Sequence, residues 1–207
     1  MTGRIRIFAA FVLTLLLPLV ACDSDTALDG GGRGRVTLLL TDAPGDIHAA
    51  VVTISEVYLK GDGGEVVLLD EEVTTDLLTL KDDILTLAEE VVVPSGTYAE
   101  VRVVITGGYI EVEGEDGETR FYVSKGYEHV PADLDAAGEL ELHMPSYATS
   151  GLKIKLPGGL RVDGDERIVL LDFDVAESFG QEVGKSGRWV MKPVIKATEV
   201  DLAEIEI

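Results

Sequence analysis

The sequence predicts an all-β protein, folded as a single antiparallel β-sandwich with one or two short helical insertions. Many short segments alternate apolar and polar residues at period two, which is typical of half-buried strands. These segments are rich in β-branched and aromatic residues, and turns such as Gly61-Asp62-Gly63-Gly64 separate them. Many short strands with little helix favour two packed sheets over an α/β arrangement.

Ten segments between residues 35 and 200 carry the strand pattern. They are 35–41, 51–60, 65–69, 97–106, 109–112, 120–123, 139–144, 152–156, 167–175 and 189–200. In the segment 97–106, Val101, Val103 and Ile105 fall on one face, and Tyr98, Glu100, Arg102 and Val104 fall on the other. We therefore expect this strand to have one buried face and one partly solvated face.

Two stretches depart from the period of two. Leucines spaced three and four residues apart in 76–90 predict a short helix or a helical turn. A second turn is predicted at 131–137. No internal repeat is visible.

The N-terminal residues have the order of a secretory signal peptide. Arg4 and Arg6 precede an apolar run at 7–20, which is shorter than the roughly 20 residues that span a bilayer as a helix. The following Leu19-Val20-Ala21-Cys22 resembles the lipobox of bacterial lipoproteins, in which cleavage occurs before a lipidated cysteine. This resemblance implies lipidation of Cys22; the alternative is an ordinary signal peptide with a chance cysteine. Because Cys22 is the only cysteine, a disulfide framework is excluded.

We predict three parts of the chain: a signal peptide at 1–21, a flexible tether at 22–34 and a β-sandwich domain at 35–207. The tether prediction depends on a low apolar content and a glycine-rich end. The predicted location is the cell envelope, outside the cytoplasm, with lipid on Cys22 holding the protein to a membrane. Asp23 resembles an inner-membrane retention signal of enterobacteria, but other lineages sort differently, so inner and outer membrane both stay open.

The charge of the chain limits its partners. It has 38 acidic and 17 basic side chains and a formal net charge of −21. Such a charge repels nucleic acids and anionic lipid headgroups, so neither is expected as a partner. An envelope protein or a glycan is the remaining candidate partner.

Seven separated segments resemble one bacterial family of lipoproteins, the domain-of-unknown-function family numbered 4382. They are 40–44 (LTDAP), 52–57 (VTISEV), 76–80 (DLLTL), 94–98 (PSGTY) with Val101-Arg102, Pro145-Ser146 with 150–153 (SGLK), 171–174 (LDFD) with Ser178, and 191–195 (MKPVI). The resemblance implies an exported domain of unassigned activity and supplies no catalytic residues. Met191 departs from the leucine usual before Lys-Pro. Within 94–98, Tyr98 is a candidate to cap a corner of the sandwich through its hydroxyl.

Four aspartates form the sharpest candidate site. Asp42 and Asp46 lie in a predicted turn, while Asp172 and Asp174 share one face of a predicted strand. Together they would offer the hard oxygen ligands that calcium prefers. In the alternative, Asp42 and Asp46 cap a turn, and cations such as Arg102, Lys153, Lys155 or Lys192 neutralise the other pair. No EF-hand pattern is present, and no cofactor other than calcium is predicted.

No catalytic constellation stands out. His48, His129 and His143 lie in separate segments, and Ser146 lacks the glycine-flanked elbow of a serine nucleophile. We therefore expect a non-enzymatic binding or structural module; the alternative is a hydrolase that uses clustered carboxylates, with or without calcium. Five aromatic residues either fill the core or form a platform for sugar or peptide. They are Tyr109, Phe121, Tyr122, Tyr127 and Trp189.

Overall fold

Two β-sheets pack face to face around a shared hydrophobic core in the computed structural model. It describes residues 32–43, 47–114, 116–131, 140–144, 147–180 and 187–201. The core-facing side chains alternate along each strand with side chains that face outward, as period-two segments require. The prediction of an all-β fold is confirmed.

Within the described residues, twelve strands make up the two sheets. They are β1 (Arg33–Ala43), β2 (Ala49–Gly61), β3 (Gly64–Leu69), β4 (Val73–Asp76), β5 (Leu85–Pro94), β6 (Gly96–Glu113), β7 (Thr119–Ser124), β8 (Leu140–His143), β9 (Leu152–Val162), β10 (Glu166–Asp174), β11 (Arg188–Val190) and β12 (Ile195–Val200). The smaller sheet has the order β12-β10-β1-β5. The larger sheet has the order β11-β8-β7-β6-β2-β3, with β4 also paired to β2 and β9 also paired to β6.

The sandwich is as predicted, but its sheets are mixed and not antiparallel throughout. β1 runs parallel to β10, β8 runs parallel to β7, and β11 runs parallel to β8. A parallel pair needs a long crossover connection, and the chain between β1 and β10 supplies one by forming most of the larger sheet. The alternation within a strand reports which face is buried but carries no information on the direction of its neighbour.

The helical elements among the described residues are short. A 3₁₀ turn spans Leu77–Leu80, and two helices follow, α1 at Tyr147–Ser150 and α2 at Val175–Phe179. The turn lies inside the stretch 76–90 where helical spacing predicts one, but β5 occupies the rest of that stretch from Leu85 onward. Of the turn predicted at 131–137, residues 132–137 lie outside the described residues. In the part of the chain that is described, no helix is long and apolar enough to cross a membrane.

A β-bulge changes one predicted face of β6. Val101, Val103 and Ile105 face the core as predicted, and Arg102 faces away from it. The register against β9 shifts between Tyr98 and Glu100, so the side chain of Tyr98 turns inward and is fully buried. The prediction that Tyr98 shares a face with Arg102 is therefore wrong, because the extra residue of a bulge inverts the alternation.

Candidate binding face

The larger sheet turns one face to the core, and we call its opposite face the outer face. On the outer face, β2, β6 and β9 lie side by side and align their side chains in cross-strand rows. One row contains Tyr58, Arg102 and Lys153, and the next contains Lys60, Glu100 and Lys155. We call Lys60, Arg102, Lys153 and Lys155 the cation cluster. Cross-strand neighbours on one face lie about 5 Å apart at Cβ, which concentrates positive charge in an acidic protein.

Glu100 lies at the centre of the cation cluster. Its Oε2 accepts hydrogen bonds from the Nε of Arg102 at 3.1 Å and pairs with Nη2 at 3.1 Å. Its Oε1 pairs with the Nζ of Lys153 at 2.9 Å. The hydrogen bond from Lys153 has the largest effect and lowers the pKa of the Glu100 carboxyl. Desolvation opposes it with a smaller effect, and the hydrogen bond from Arg102 lowers the pKa further.

The guanidinium of Arg102 also anchors the end of α1. Its Nη1 donates to the carbonyl oxygen of Ser150 at 3.0 Å, and the Tyr58 hydroxyl donates to the same oxygen at 3.4 Å. Gly151 follows with a φ of 65°, a left-handed conformation that favours glycine and turns the chain into β9. Two of the segments that resemble the family, Val101-Arg102 and 150–153, therefore meet at one place on the outer face.

Exposure divides the cation cluster into a base and a rim. The side chains of Arg102 and Glu100 are only 17% and 19% exposed, whereas those of Lys153 and Lys60 are 54% and 51% exposed. Lys155 is exposed as well, and Lys60 pairs with Glu65 at 3.1 Å. The cluster therefore has a half-buried ion pair between Arg102 and Glu100 at its base and three exposed ammonium groups at its rim.

A second group of outer-face side chains, which we call the aromatic patch, consists of Tyr109, Tyr127 and His129. The rings of Tyr109 and Tyr127 have centroids 6.4 Å apart, and those of Tyr127 and His129 are 5.6 Å apart in an edge-on arrangement. Both tyrosines are half-buried and His129 is exposed. Two of the five aromatic residues singled out in the sequence belong instead to the core. The rings of Tyr122 and Trp189 pack edge-on with their centroids 5.0 Å apart.

Three contacts hold Tyr127 on the sheet. Its hydroxyl shares a hydrogen bond of 3.0 Å with the hydroxyl of Thr53, and its backbone amide donates to the Ser124 carbonyl oxygen at 3.1 Å. A Cβ at Gly107 would collide with the Tyr127 ring, so glycine allows the ring to lie against the backbone of β6. Sequence reasoning missed this placement because Tyr127 and Thr53 are 74 positions apart.

Three of the candidate calcium ligands, Asp42, Asp172 and Asp174, lie at the carboxyl ends of β1 and β10. Asp42 aligns with Phe173 on the core face and is 6% exposed, whereas Asp172 and Asp174 alternate onto the opposite face. Asp42 Oδ1 accepts a hydrogen bond from the Val175 amide at 3.3 Å. Strand alternation therefore places Asp42 on one face of the smaller sheet and the other two carboxylates on the opposite face.

Asp174 caps α2. Its Oδ1 accepts a hydrogen bond from the Glu177 amide at 2.9 Å, which is the usual role of an N-cap aspartate. Asp172 stands opposite Lys196 in the register of β10 and β12. The cations suggested from the sequence, Arg102 and Lys153, instead bind Glu100 on the other sheet.

Metal binding stays a prediction. Among the described residues, no group of three or more His, Cys, Asp or Glu side chains is arranged to hold a metal ion. Asp46 lies outside the described residues, and so does Cys22. The calcium set of Asp42, Asp46, Asp172 and Asp174 is therefore not tested as a whole.

The candidate groups for acid–base chemistry are scattered. His48 approaches Glu111 at 3.9 Å, and His143 lies 3.6 Å from Glu141 with the Arg188 Nη2 at 3.1 Å from its Nδ1. Ser146 lies outside the described residues. Glu111, Glu141 and His143 lie on strands of the larger sheet and His48 directly precedes β2; all four are half-buried or exposed.

The fold and the two side-chain clusters define an all-β domain with a chemically uneven outer face. A match to the family described as domain of unknown function (DUF4382) covers residues 33–193. The chain therefore belongs to that family, as the seven segments indicate. No curated protein and no solved structure matches the chain.

Proposed function

We propose that this protein is a non-enzymatic binding module of the bacterial cell envelope, held to a membrane by lipid on Cys22. Its cation cluster binds an anionic partner on the outer face of the larger sheet. The tether predicted at 22–34, whose last two residues begin β1, gives the domain reach from the membrane surface. Lipid on the cysteine makes any affinity of the acidic domain for the bilayer unnecessary.

The observation that carries this proposal is a local excess of positive charge on an acidic chain. With a net charge of −21, the chain as a whole repels anions. On the cation cluster, three strands instead gather four cations against two carboxylates, because Glu100 pairs with Arg102 and Lys153 and Glu65 pairs with Lys60. Such charge complementarity selects a partner by sign and fixes its register on the surface.

The test compares two double variants with the same change in net charge. Lys60→Glu with Lys155→Glu reverses the rim of the cation cluster, and Lys192→Glu with Lys196→Glu reverses exposed cations elsewhere. Binding of the full-length protein in nonionic detergent to polyglutamate and polygalacturonate is measured by titration calorimetry. We expect the first pair to weaken binding at least tenfold and the second to change it little. Equal binding by both double variants would overturn the proposal.

The alternative function is that of a hydrolase, and observed substrate turnover would favour it. The full-length protein is assayed against glycan, ester and peptide substrates with and without calcium. Turnover that is reproducible and abolished by Asp172→Ala would replace the binding-module proposal with the hydrolase.

A further inference from the structure

We infer that the anionic partner is an acidic polysaccharide, which uses the aromatic patch for its sugar rings and the cation cluster for its charged groups. This inference rests on the proposed function and adds the chemical class of the partner. Nothing in the cation cluster alone distinguishes a carboxylate on a protein from one on a sugar. The aromatic patch supplies that distinction.

The aromatic patch has the features of a sugar platform. Sugars present an apolar face of C–H groups that packs on an aromatic ring, and hydroxyls at the rim that need polar partners. Tyr127 supplies a fixed ring, because the Thr53 hydroxyl and the backbone at Gly107 hold it in place, and the Tyr109 ring lies beside it with the centroids 6.4 Å apart. A ring that is already fixed loses little side-chain entropy when it binds.

Polar side chains next to the rings suit sugar hydroxyls. Glu111 lies two residues beyond Tyr109 on the same face of β6, and His48 stands 3.9 Å from its carboxylate. Thr74 shares a hydrogen bond of 2.7 Å with Thr53 beside the Tyr127 hydroxyl. This end of the outer face offers acceptors and uncharged hydroxyls, so it suits the neutral parts of a sugar chain better than its acidic groups.

Both clusters lie along one strand, which favours an extended ligand. Arg102 and Tyr109 are both on β6, seven residues apart. At the rise of an antiparallel strand, the separation is on the order of 20 Å. A polysaccharide of several units therefore reaches both clusters at once, with its charged groups at Arg102 and its sugar rings at Tyr127.

An acidic peptide fits the surface less well. It would satisfy the cation cluster, but its aspartate and glutamate side chains have no flat C–H face of the kind that a sugar ring packs on Tyr109 and Tyr127. Binding of polyglutamate as strong as that of polygalacturonate is therefore the outcome that contradicts the sugar inference.

The experiment uses three polymers of similar length: polygalacturonate, polyglutamate and a neutral galactan. Their affinities are measured with the full-length protein in nonionic detergent, and with a variant that carries Tyr109→Val and His129→Ala. We expect polygalacturonate to bind about tenfold more tightly than polyglutamate, and the double variant to remove this preference. Tyr109→Phe keeps the ring and is expected to keep the preference.

The outcomes separate the two proposals. If polygalacturonate and polyglutamate bind equally and the aromatic variant changes neither, the sugar inference fails and the anionic-partner proposal stands. If neither anionic polymer binds, both fail. If the neutral galactan binds as tightly as polygalacturonate, the partner is not an acidic polysaccharide. Thermal melting of each variant checks that its fold is intact.

Discussion

The Tyr98 hydroxyl donates a hydrogen bond of 2.9 Å to the carbonyl oxygen of Pro94, four residues earlier in the chain. This bond closes the corner where β5 turns into β6. It confirms the role predicted for Tyr98 from the sequence, that of a tyrosine capping a corner of a β-sandwich. Burial and, to a smaller extent, the nearby charge of Asp62 raise the pKa of this phenol. It therefore stays protonated and able to donate.

Tyr98→Phe is expected to lower the free energy of unfolding by about 1 kcal/mol, because it removes the buried donor and leaves the Pro94 carbonyl without it. Urea denaturation of both proteins measures the change. Tyr58→Phe is the matched control, since its hydroxyl makes a longer, exposed bond of 3.4 Å. An equal loss in the two variants would argue against the corner bond.

Much of the fold was predictable, because burial on one face of a strand leaves its mark in the alternation of that strand alone. The core positions of β6, such as Val101 and Val103, follow that rule. β5 was missed because Glu89 and Glu90 interrupt its alternation. The register against β1 shifts there, Glu90 has a φ of 48°, and its amide donates to the Thr37 hydroxyl at 3.1 Å.

The candidate binding face was less predictable than the fold. Glu100 and Arg102 lie two residues apart on one strand, so their pairing had a local signal. Lys153 joins them only through the register of β9 against β6, and Lys60 only through that of β2 against β6. Those registers depend on turns, bulges and packing of the whole sheet, and no single segment encodes them.

Glu100 is expected to make the protein sensitive to acid. Its folded-state pKa is lowered, first by Lys153 and then by Arg102, so its contribution to stability is complete above the ordinary value of 4.5. That contribution is lost as the pH falls through the folded-state pKa. Glu100→Gln should therefore reduce the slope of unfolding free energy against pH below about 4.5. Equal slopes in wild type and Glu100→Gln would contradict the assignment.

Asp174→Ala is expected to destabilise the protein by about 1 kcal/mol through loss of the cap on α2. Asp174→Ser keeps a side-chain oxygen for the Glu177 amide and should recover most of the stability. Denaturation in chelator isolates the cap from any cation. If serine and alanine variants unfold alike, the hydrogen bond to Glu177 contributes nothing measurable.

The calcium hypothesis makes a separate prediction at the same end of β1 and β10. A cation bound only by the folded state must raise the melting temperature in millimolar calcium over that in chelator. Asp46→Asn and Asp172→Asn should then abolish the increase, whereas Asp116→Asn, in a distant hairpin, should leave it. Equal melting temperatures in calcium and chelator would rule out a stabilising calcium site.

The lipid anchor is tested most directly at Cys22. Cys22→Ser removes the thiol that would carry the lipid, so the protein should leave the membrane fraction and lose the mass of the acyl chains. The apolar run at 7–20 is too short to anchor it as a helix once it has been translocated. Globomycin, which blocks the lipoprotein signal peptidase, should leave the wild-type protein uncleaved and heavier by the signal peptide. A Cys22→Ser protein that stays in the membrane fraction through a high-salt wash would overturn lipid anchoring, because salt removes proteins held there by surface charge alone.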